Sequence, residues 1–231
     1  GAARRPHGGR RRQAARPALV ARAAEVRAGD EASETPGEAY FPDAEEQKVE
    51  ATGEMVPSDP PMRIGHGYDI HRILPRDKPE LWGKISPQPT VIGGVVFEDF
   101  ELGVVANSDG DILLHSVTDA ILGALGLPDL GQFFPDNIPR WRGASSDQFL
   151  DEAVRLMELR KYRIMNIDCT IIAEKPRLAP VKPRMKENLV RLCHTVPARV
   201  NIKARTHEKV DSVGELRALE CHVVAILERC G

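Results

Sequence analysis

The chain has 231 residues and a formal net charge of −2, a length that accommodates one large domain or two small ones. The nearly balanced charge gives no support for nucleic-acid binding, and no apolar run approaches the roughly 18 residues that a membrane span needs. The four cysteines are scattered and form no C-x-x-C pair, which predicts buried or incidental thiols in a reducing compartment, not zinc ligands or disulfides. They are Cys169, Cys193, Cys221 and Cys230.

The first 61 residues separate into a basic block and an acidic block. Residues 1–27 contain eight arginines and one acid, whereas residues 30–59 contain ten acids and one lysine. Neither block has sustained apolar periodicity, so residues 1–61 are predicted to be an N-terminal extension of the disordered type. An Arg-rich, Ala-rich and acid-poor beginning is typical of an organelle transit peptide, and the alternatives are a plain disordered extension or a tail that binds a partner protein.

The first half of the remaining chain predicts two strands, a helix and a loop. Strands are expected over 62–73 and 90–100, joined by a loop rich in proline and charge. A helix is expected over 108–127, with Ser108 as the N-cap and Asp111 completing a capping box. A long loop with proline and glycine throughout follows over 127–144.

The second half predicts two further helices and three strands. A helix over 145–162, with Ser145 and Gln148 as its cap pair, precedes a strand over 163–173. A helix over 180–195 precedes a strand over 198–206, and the Val-Val-Ala-Ile-Leu run favours a strand over a helix for 218–230. The residues expected to face inward are Ile167, Cys169, Ile171, Val200, Ile202 and Ala204. Residues 62–231 therefore predict a single α/β (α+β) domain in which a mixed sheet packs against helices.

Two short patterns place candidate metal ligands on this fold. In GHGYDIH (65–71), alternation puts Asp69 and His71 on the same face of a strand, but a D-x-H pair alone is equally compatible with a wet strand face. On the first helix Asp111, His115 and Asp119 share one stripe opposite an apolar side. His115 is then either a solvated residue or a metal ligand whose second ring nitrogen is held by an acid. Asp69, His71 and His115 together would leave a fourth position open, as a catalytic zinc site requires.

Five segments of the chain carry a shared pattern: MRIGHGYDIHRI (62–73), NSDGDILLHSVTDAILGALGLPDLGQFFPD (107–136), GASS (143–146), NIDCTIIAEKPRLAP (166–180) and VNIKARTHEK (200–209). Taken in this order, they resemble the 2-C-methyl-D-erythritol 2,4-cyclodiphosphate synthase family of the non-mevalonate isoprenoid pathway. The resemblance runs from about residue 62 to residue 230 and is specific, because G-H-G-x-D-x-H is followed by S-D-G-D-x-x-x-H.

The resemblance implies a reaction, an assembly and a location. The 2-phosphate of 4-diphosphocytidyl-2-C-methyl-D-erythritol 2-phosphate attacks the β-phosphorus, CMP leaves, and a cyclic diphosphate remains. Family members are homotrimers of α/β subunits in which each site is built between two neighbours. The implied partner is therefore a small cytidine diphosphate substrate, and the implied location is the stroma of a plastid or plastid-like organelle, as a soluble enzyme.

The resemblance also implies roles for particular residues. Asp69, His71 and His115 match zinc ligands, Glu208 matches the acid that holds a magnesium (or manganese) ion on the substrate diphosphate, and Thr206 lies beside the phosphates. Asn107 and Thr206 occupy the catalytic positions. Asp129 and Gly131 match contacts to the erythritol part, and 173–179 match the loop that receives cytosine. The substrate-binding set is Ser108, Asp129, Gly131, Phe134, Asp136, Ala173, Pro176, Arg177, Leu178, Ala179, Ala204 and Arg205.

Several positions depart from the family pattern. Asn107 stands where a histidine is usual, and it donates a hydrogen bond but carries no charge, so some transition-state stabilisation is expected to be lost. Arg205 replaces a threonine, Ser212 replaces an aromatic residue, and Glu215 and Arg217 exchange the usual charges, which would be compensated if they pair across the trimer axis. Two function classes follow: an active synthase, or a catalytically impaired homologue that serves as a structural or partner-binding subunit.

Overall fold

The computed structural model describes residues 59–230. The strands are β1 (Met62–Pro75), β2 (Thr90–Ile92), β3 (Val95–Phe97), β4 (Leu102–Val104), β5 (Tyr162–Ile172), β6 (Val200–Arg205) and β7 (Ala218–Arg229). The α-helices are α1 (Ile112–Ala124), α2 (Leu130–Phe133), α3 (Asp147–Leu159), α4 (Lys182–Leu192) and α5 (Asp211–Gly214). Shorter 3-10 turns lie at Pro79–Leu81, Pro139–Trp141 and Pro197–Arg199. The expected N-terminal extension lies outside the described residues except for 59–61, so its interpretations stay predictions.

A five-stranded mixed sheet forms the centre of the domain, in the order β4-β1-β7-β5-β6. β5 and β6 are parallel, and the other neighbouring strands are antiparallel. β1 and β7 pair over eleven residues, from Met62↔Glu228 to Arg72↔Ala218. With α1 packed on β1 and β7, the predicted class of a mixed sheet against helices is confirmed.

Two glycines on β1 allow α1 to lie directly on the strand. A Cβ atom added at Gly65 would stand 1.8 Å from the Ala120 carbonyl oxygen, and one added at Gly67 would stand 1.8 Å from the Ser116 carbonyl oxygen. Real side-chain atoms never approach a backbone oxygen this closely, so only glycine fits at either position. The alternating residues on the opposite face of β1, including Ile64, are exposed.

The core follows the alternation that the sequence predicts. Ile167, Cys169 and Ile171 on β5 are fully buried, and Val200 and Ile202 on β6 are buried. Ala204, expected to face inward, is only partly buried because it lies near the end of β6. α1 is buried on nearly all sides, since β1, β7 and α3 all pack against it.

All four cysteines are free, as expected. Cys169, Cys193 and Cys221 are buried, and Cys230 is partly exposed. Burial raises the pKa of Cys193 to about 12 and raises the pKa of Cys169 and Cys221 well above the ordinary thiol value. Since the thiolate is the metal-binding and nucleophilic form, these three thiols are inert at neutral pH.

The segment expected as one strand over 90–100 is instead the β2–β3 hairpin. Gly93 and Gly94 form its turn with φ values of 60° and 69°, which the left-handed region permits for glycine at little cost. The loop expected over 127–144 contains α2 and the turn Pro139–Trp141, because Asp129 caps α2 and a proline begins the turn.

The first long helix begins later than predicted. Asp111, not Ser108, is the N-cap of α1, and its carboxylate accepts hydrogen bonds from the amides of Leu113 and Leu114. The same carboxylate accepts from the amides of Gly93 and Gly94 at 2.8 and 2.6 Å, so it also ties the hairpin to the helix. Burial raises the pKa of Asp111, and these backbone donors oppose the rise.

The N-cap of the second long helix lies one residue after the predicted cap. Ser146, not Ser145, precedes α3, and no side-chain hydrogen bond caps this helix. The expected pair of Ser145 and Gln148 is therefore wrong as a cap, and the two residues are joined only through their backbones, where the Gln148 amide donates to the Ser145 carbonyl. The Ser146 hydroxyl points to a different partner, which is described below.

The described helices are all too short or too polar to span a bilayer.

Substituting Gly67 by alanine is expected to lower the free energy of unfolding by about 3 kcal/mol or more, the upper end of what overpacking costs. The reason is that the new methyl group meets the helix backbone and not a flexible side chain. Urea denaturation followed by circular dichroism measures the change. The control is Gly123→Ala in α1, where the nearest atom to a new Cβ is the His66 carbonyl oxygen at 4.0 Å. This control is expected to gain up to about 1 kcal/mol from helix propensity. Equal stabilities for the two variants would contradict the close approach.

Candidate metal centre

Three side chains from β1 and α1 meet on the helix-facing side of the sheet. Asp69 and His71 alternate with exposed residues on β1 and share the face of Gly65 and Gly67. His115 is the fourth residue of α1. The Asp69 Oδ2 atom lies 2.9 Å from His115 Nδ1 and 3.0 Å from His71 Nε2, and the two nitrogens are 3.3 Å apart. The structure thus brings together the three predicted ligands.

The triangle of ligand atoms fits a divalent cation. Around a tetrahedral zinc ion with bonds of about 2.0–2.1 Å, ligand atoms lie about 3.3 Å from one another. The observed separations of 2.9–3.3 Å are close to that length. The two imidazole nitrogens and the carboxylate oxygen that converge here have more lone pairs than protons to share between them. A cation at the centre of the triangle would accept these lone pairs. Within residues 59–230 no other group of three His, Cys, Asp or Glu side chains has ligand atoms this close together.

Electrostatics keep the carboxylate in its metal-binding form. Burial alone would raise the pKa of Asp69, but the hydrogen bonds and charges of His115 and His71 outweigh burial and hold this pKa well below its ordinary value. Burial alone would lower the pKa of His115, but the hydrogen bond with Asp69 outweighs burial and raises it. Asp69 is therefore ionised at neutral pH, as metal binding requires.

The second ring nitrogen of His115 is held by a serine. His115 Nε2 lies 2.8 Å from Ser146 Oγ and 3.3 Å from Ser108 Oγ. The Ser146 hydroxyl donates to one carboxylate oxygen of Asp109, and the Ser146 amide donates to the other at 3.0 Å. Because that hydroxyl proton goes to Asp109, the Ser146 oxygen accepts from Nε2–H. When the His115 ring is neutral, its one proton is therefore on Nε2, and Nδ1 has a lone pair available for a metal ion.

Of the two alternatives for His115 on the stripe with Asp111 and Asp119, the solvated residue is wrong, because His115 is buried within the metal triangle. Asp111 is the buried cap of α1, and Asp119 accepts a hydrogen bond from the Leu130 amide at 2.8 Å. The acid that orients His115 is Asp109, acting through Ser146. Sequence spacing does not show this contact, because Ser146 lies 31 positions beyond His115 and the fold brings them together.

The metal triangle lines a cavity of about 460 Å³. Rings of Phe134, Trp141 and Phe149 form an aromatic wall, with the Phe134 and Phe149 centroids 4.5 Å apart. Trp141 and Phe149 were not among the predicted site residues, since single aromatic residues in a turn and a helix carry no local signal of a site. The other predicted site residues in the lining are Asn107, Ser108, Gly131, Phe134 and Asp136.

Asp129 is not in the lining of the metal cavity, unlike the predicted site residues Gly131 and Phe134. Its side chain accepts from the Gln132 amide at 3.0 Å and caps α2, with the Gln132 side chain completing a capping box. α2 in turn carries Gly131 and Leu130 into the cavity lining. Its expected contact with the erythritol part stays a prediction.

The remaining predicted residues form a second group at the ends of β5 and β6. The Ala173 amide donates to the Arg205 carbonyl at 3.0 Å and joins the loop after β5 to the end of β6. None of this group lines the metal cavity. Two strands, β7 and β5, lie between β1 and β6 in the sheet. At the usual strand spacing, the distance from β1 to β6 is therefore about 14 Å. The group consists of Ala173, Pro176, Arg177, Leu178, Ala179, Ala204, Arg205, Thr206 and Glu208.

The loop after β6 presents Glu208 in a constrained backbone. Glu208 has a φ of 52° and is exposed, and the Thr206 hydroxyl donates to its carboxylate at 3.0 Å. His207 fastens this loop to the sheet, because its Nδ1 lies 2.7 Å from Asp211 Oδ2 and its Nε2 lies 3.3 Å from Glu220 Oε1. The Glu208 carboxylate is thus left pointing outward, where a hard cation could reach it.

Glu215 and Arg217, whose charges are exchanged relative to the family pattern, form an ion pair within one chain. The Arg217 guanidinium donates to Glu215 at 2.7 and 2.9 Å, and both side chains are exposed. Pairing across a trimer axis is therefore not needed to compensate the exchange.

The comparisons with known proteins agree with the site. Residues 62–228 match the model of the YgbB family, so the chain belongs to that family. Among curated relatives, the chloroplastic 2-C-methyl-D-erythritol 2,4-cyclodiphosphate synthase of Arabidopsis thaliana is 48% identical over 76% of this chain and 71% of its own length. The synthase of Idiomarina loihiensis is 43% identical over 72% of this chain and 98% of its own length.

Solved structures show the same fold. A structure described as IspF of Plasmodium falciparum in complex with CDP has a TM-score of 0.63 and 33% identity, and it covers 75% of this chain and all of its own. A structure of the bifunctional IspDF from Campylobacter jejuni has a TM-score of 0.65 and 30% identity, and it covers 73% of this chain and 42% of its own. The resemblance drawn from the five sequence segments is confirmed.

Substituting Ser146 by alanine is expected to weaken metal affinity about 10- to 100-fold, the usual effect of removing a group that orients a ligand histidine. The variant breaks the link from Asp109 to His115 while leaving all three ligands in place. Competition for zinc against a chromophoric chelator measures the affinity. Ser145→Ala, at an exposed neighbouring serine, serves as the matched control and should bind zinc like the wild type. An unchanged affinity in Ser146→Ala would refute the orienting role.

Proposed function

We propose that this protein catalyses the zinc-dependent cyclisation of 4-diphosphocytidyl-2-C-methyl-D-erythritol 2-phosphate to 2-C-methyl-D-erythritol 2,4-cyclodiphosphate in isoprenoid biosynthesis, with release of CMP. The observation that carries the proposal is the convergence of Asp69, His71 and His115 in a cavity wall, in a chain of this family. In this proposal the three residues hold zinc, and Glu208 helps to hold a magnesium or manganese ion on the substrate diphosphate.

The reaction forms one phosphorus–oxygen bond and breaks another. An oxygen of the 2-phosphate attacks the β-phosphorus, the bond from that phosphorus to the bridging oxygen breaks, and CMP leaves with the bridging oxygen. The substrate supplies its own nucleophile, so an activated serine or cysteine is not required, which agrees with the raised thiol pKa values of Cys169, Cys193 and Cys221. When bound, the divalent ions supply Lewis-acid and templating chemistry for joining two anionic groups.

The chain's own residues position the substrate and shield it. β1 and α1 hold the three ligands on regular secondary structure, which fixes their geometry more closely than a loop would. Phe134, Trp141 and Phe149 make one wall apolar and reduce the water in the cavity. The amide side chain of Asn107 and the hydroxyl of Ser108, also in the lining, supply uncharged hydrogen-bond donors.

A homotrimer with shared sites is part of the proposal. Within one chain the metal triangle and the group at the ends of β5 and β6 lie on strands separated by β7. A substrate that must reach both groups is accommodated if a neighbouring subunit supplies the second. The outward face of β1 and β7 supports such an assembly, because it exposes apolar side chains that a monomer would leave in water. These are Ile64, Tyr68, Ile70 and Val224.

A plastid location is also part of the proposal. Three plant relatives, from Arabidopsis thaliana, Oryza sativa and Catharanthus roseus, are chloroplastic enzymes 47–48% identical to this chain. Residues 1–27, with eight arginines and one acid, have the composition of a transit peptide. Residues 1–61 are accordingly proposed as a separate extension preceding the synthase domain.

Purified protein with zinc and magnesium is expected to release CMP from the diphosphocytidyl substrate, and His115→Ala is expected to lose at least about 1000-fold in rate, because two ligands remain where three are needed. Liquid chromatography of CMP and of the cyclic product measures both. Asn107→His, in the same assay, is expected to raise the rate about tenfold by restoring a charged donor.

The matched control for His115→Ala is His194→Ala. His194 pairs with Glu158 on the surface and lies outside the metal cavity, so its loss should leave the rate unchanged. A folded, zinc-loaded protein that releases no CMP would eliminate the synthase and leave the impaired, structural homologue as the function.

Ile64→Glu is expected to convert the trimer to monomer, because it buries a charge in the proposed interface. Light scattering coupled to size-exclusion chromatography gives the mass. Leu159→Glu places the same charge at an exposed apolar residue of α3 and should remain trimeric. A wild type with the mass of a single chain would contradict the shared-site proposal.

A further inference from the structure

Two histidines meet on the outward face of the sheet, away from the metal triangle. His66 on β1 and His222 on β7 lie on neighbouring antiparallel strands, where Val224 is opposite His66 and Tyr68 is opposite His222. The facing atoms, His66 Nε2 and His222 Nδ1, are 3.3 Å apart. Alternation along β1 puts His66 on the face opposite to Asp69, so this His66–His222 pair and the metal triangle lie on opposite sides of the sheet.

The pair differs from the other described histidines in its partners. Residues 59–230 contain six histidines, and four of them have a carboxylate oxygen within 3.0 Å of a ring nitrogen. These four are His71, His115, His194 and His207. In the same part of the chain no carboxylate pairs with His66 or His222, and each facing nitrogen has only the other histidine as a hydrogen-bond partner. No acid therefore competes for the two facing nitrogens.

The facing nitrogens have the same geometry as the two histidines of the metal triangle. His71 Nε2 and His115 Nδ1 are also 3.3 Å apart, which is the ligand separation around a tetrahedral zinc ion. The outward pair presents the same two kinds of atom, one Nε2 and one Nδ1. When its rings are neutral and protonated at their far nitrogens, both facing nitrogens carry lone pairs, and a metal ion takes the place of the shared proton.

The sheet holds the two rings in position before any ion binds. β1 and β7 pair over eleven residues, so the backbones that carry the two histidines are fixed relative to each other. The Tyr68 ring packs on the His222 ring with centroids 4.7 Å apart, and the Tyr68 hydroxyl donates to Glu220 at 3.4 Å. A site on paired strands with a packed ring loses little entropy when it binds a ligand.

We propose that the His66–His222 pair binds a divalent transition-metal ion such as zinc, at a site separate from the metal triangle. Imidazole nitrogens suit zinc, nickel and copper, whereas magnesium and calcium prefer oxygen ligands. Two protein ligands leave two tetrahedral positions for water or for the same pair of another copy, because His66 lies between Ile64 and Tyr68 on the proposed subunit interface. The site itself depends neither on the trimer nor on the proposed reaction.

Isothermal titration calorimetry of the full chain, already carrying one equivalent of zinc, tests the proposal. Further zinc is expected to bind in a second step that is weaker than the first, since two ligands replace three. His66→Gln and His222→Gln are each expected to weaken this second step at least about 100-fold, because a chelate becomes a single imidazole. Magnesium in place of zinc should give the same heats with the wild type and with both variants.

The matched control is His194→Gln, which removes an exposed imidazole that pairs with Glu158. It should keep the second zinc step unchanged. His66 is exposed and His222 is partly exposed, so both variants are expected to fold, and their thermal unfolding verifies this.

The outcomes decide the proposal without reference to CMP release. A second zinc step that both variants lose and the control keeps assigns the ion to the His66–His222 pair. A stoichiometry of one such ion per chain then indicates independent pairs, and one per three chains indicates that copies share it. The absence of a second step, its survival in both variants or its equal loss in the control would overturn the proposal.

Discussion

The direct packing of α1 on β1 is the constraint on which the metal centre depends. Gly65 and Gly67 let the helix backbone approach to a distance that no side chain allows, and the next two residues of the same face are Asp69 and His71. His115 therefore meets them without a long side chain having to reach across a gap. A helix displaced by the thickness of one methyl group would separate Nδ1 from Asp69 Oδ2, because a histidine ring has only two rotatable bonds with which to compensate.

The segment from residue 107 to residue 111 transmits this constraint to the rest of the site. Asp111 fixes its far end by capping α1 and by accepting from the β2–β3 hairpin. Asp109 holds Ser146 against His115, and the Asp109 amide donates to the Ala144 carbonyl at 3.0 Å. Acids of this segment thus serve structure and ligand orientation, while Asn107 and Ser108 face the cavity. The two acids of this segment make three attachments: the cap of α1, the link to the β2–β3 hairpin and the link to Ser146.

The strands and the ligand triad were predictable, and the attachments between them were not. Period-two patterns identify β1, β5 and β6, whereas a continuous apolar run identifies β7, and the D-x-H spacing puts two ligands on one face. The position of Asp111 was misjudged because Ser108 has equal capping propensity. The choice is decided by the hairpin amides of Gly93 and Gly94, which are distant in sequence. The role of Ser146 was not predictable for the same reason, because its partner His115 is distant in sequence. A serine that caps a helix and a serine that orients a ligand have the same local sequence pattern.

The substitution of the usual histidine by Asn107 alone suggests that positive charge is lost at this position, but other cations lie close to it. The resemblance places a histidine at this position, and a neutral amide in its place removes a cation from the wall of the metal cavity. The same wall is shared with an adjoining cavity whose lining includes Lys84 and Arg142, and neither side chain has an ion-pair or hydrogen-bond partner among residues 59–230. Positive charge is therefore still present in the adjoining cavity, supplied by Lys84 and Arg142. Charges on long exposed side chains stabilise an anion less than a fixed, buried donor would, since water screens them more strongly. The combination fits an enzyme that keeps its metal ligands and its substrate geometry while stabilising the developing charge less tightly than a histidine at position 107 would.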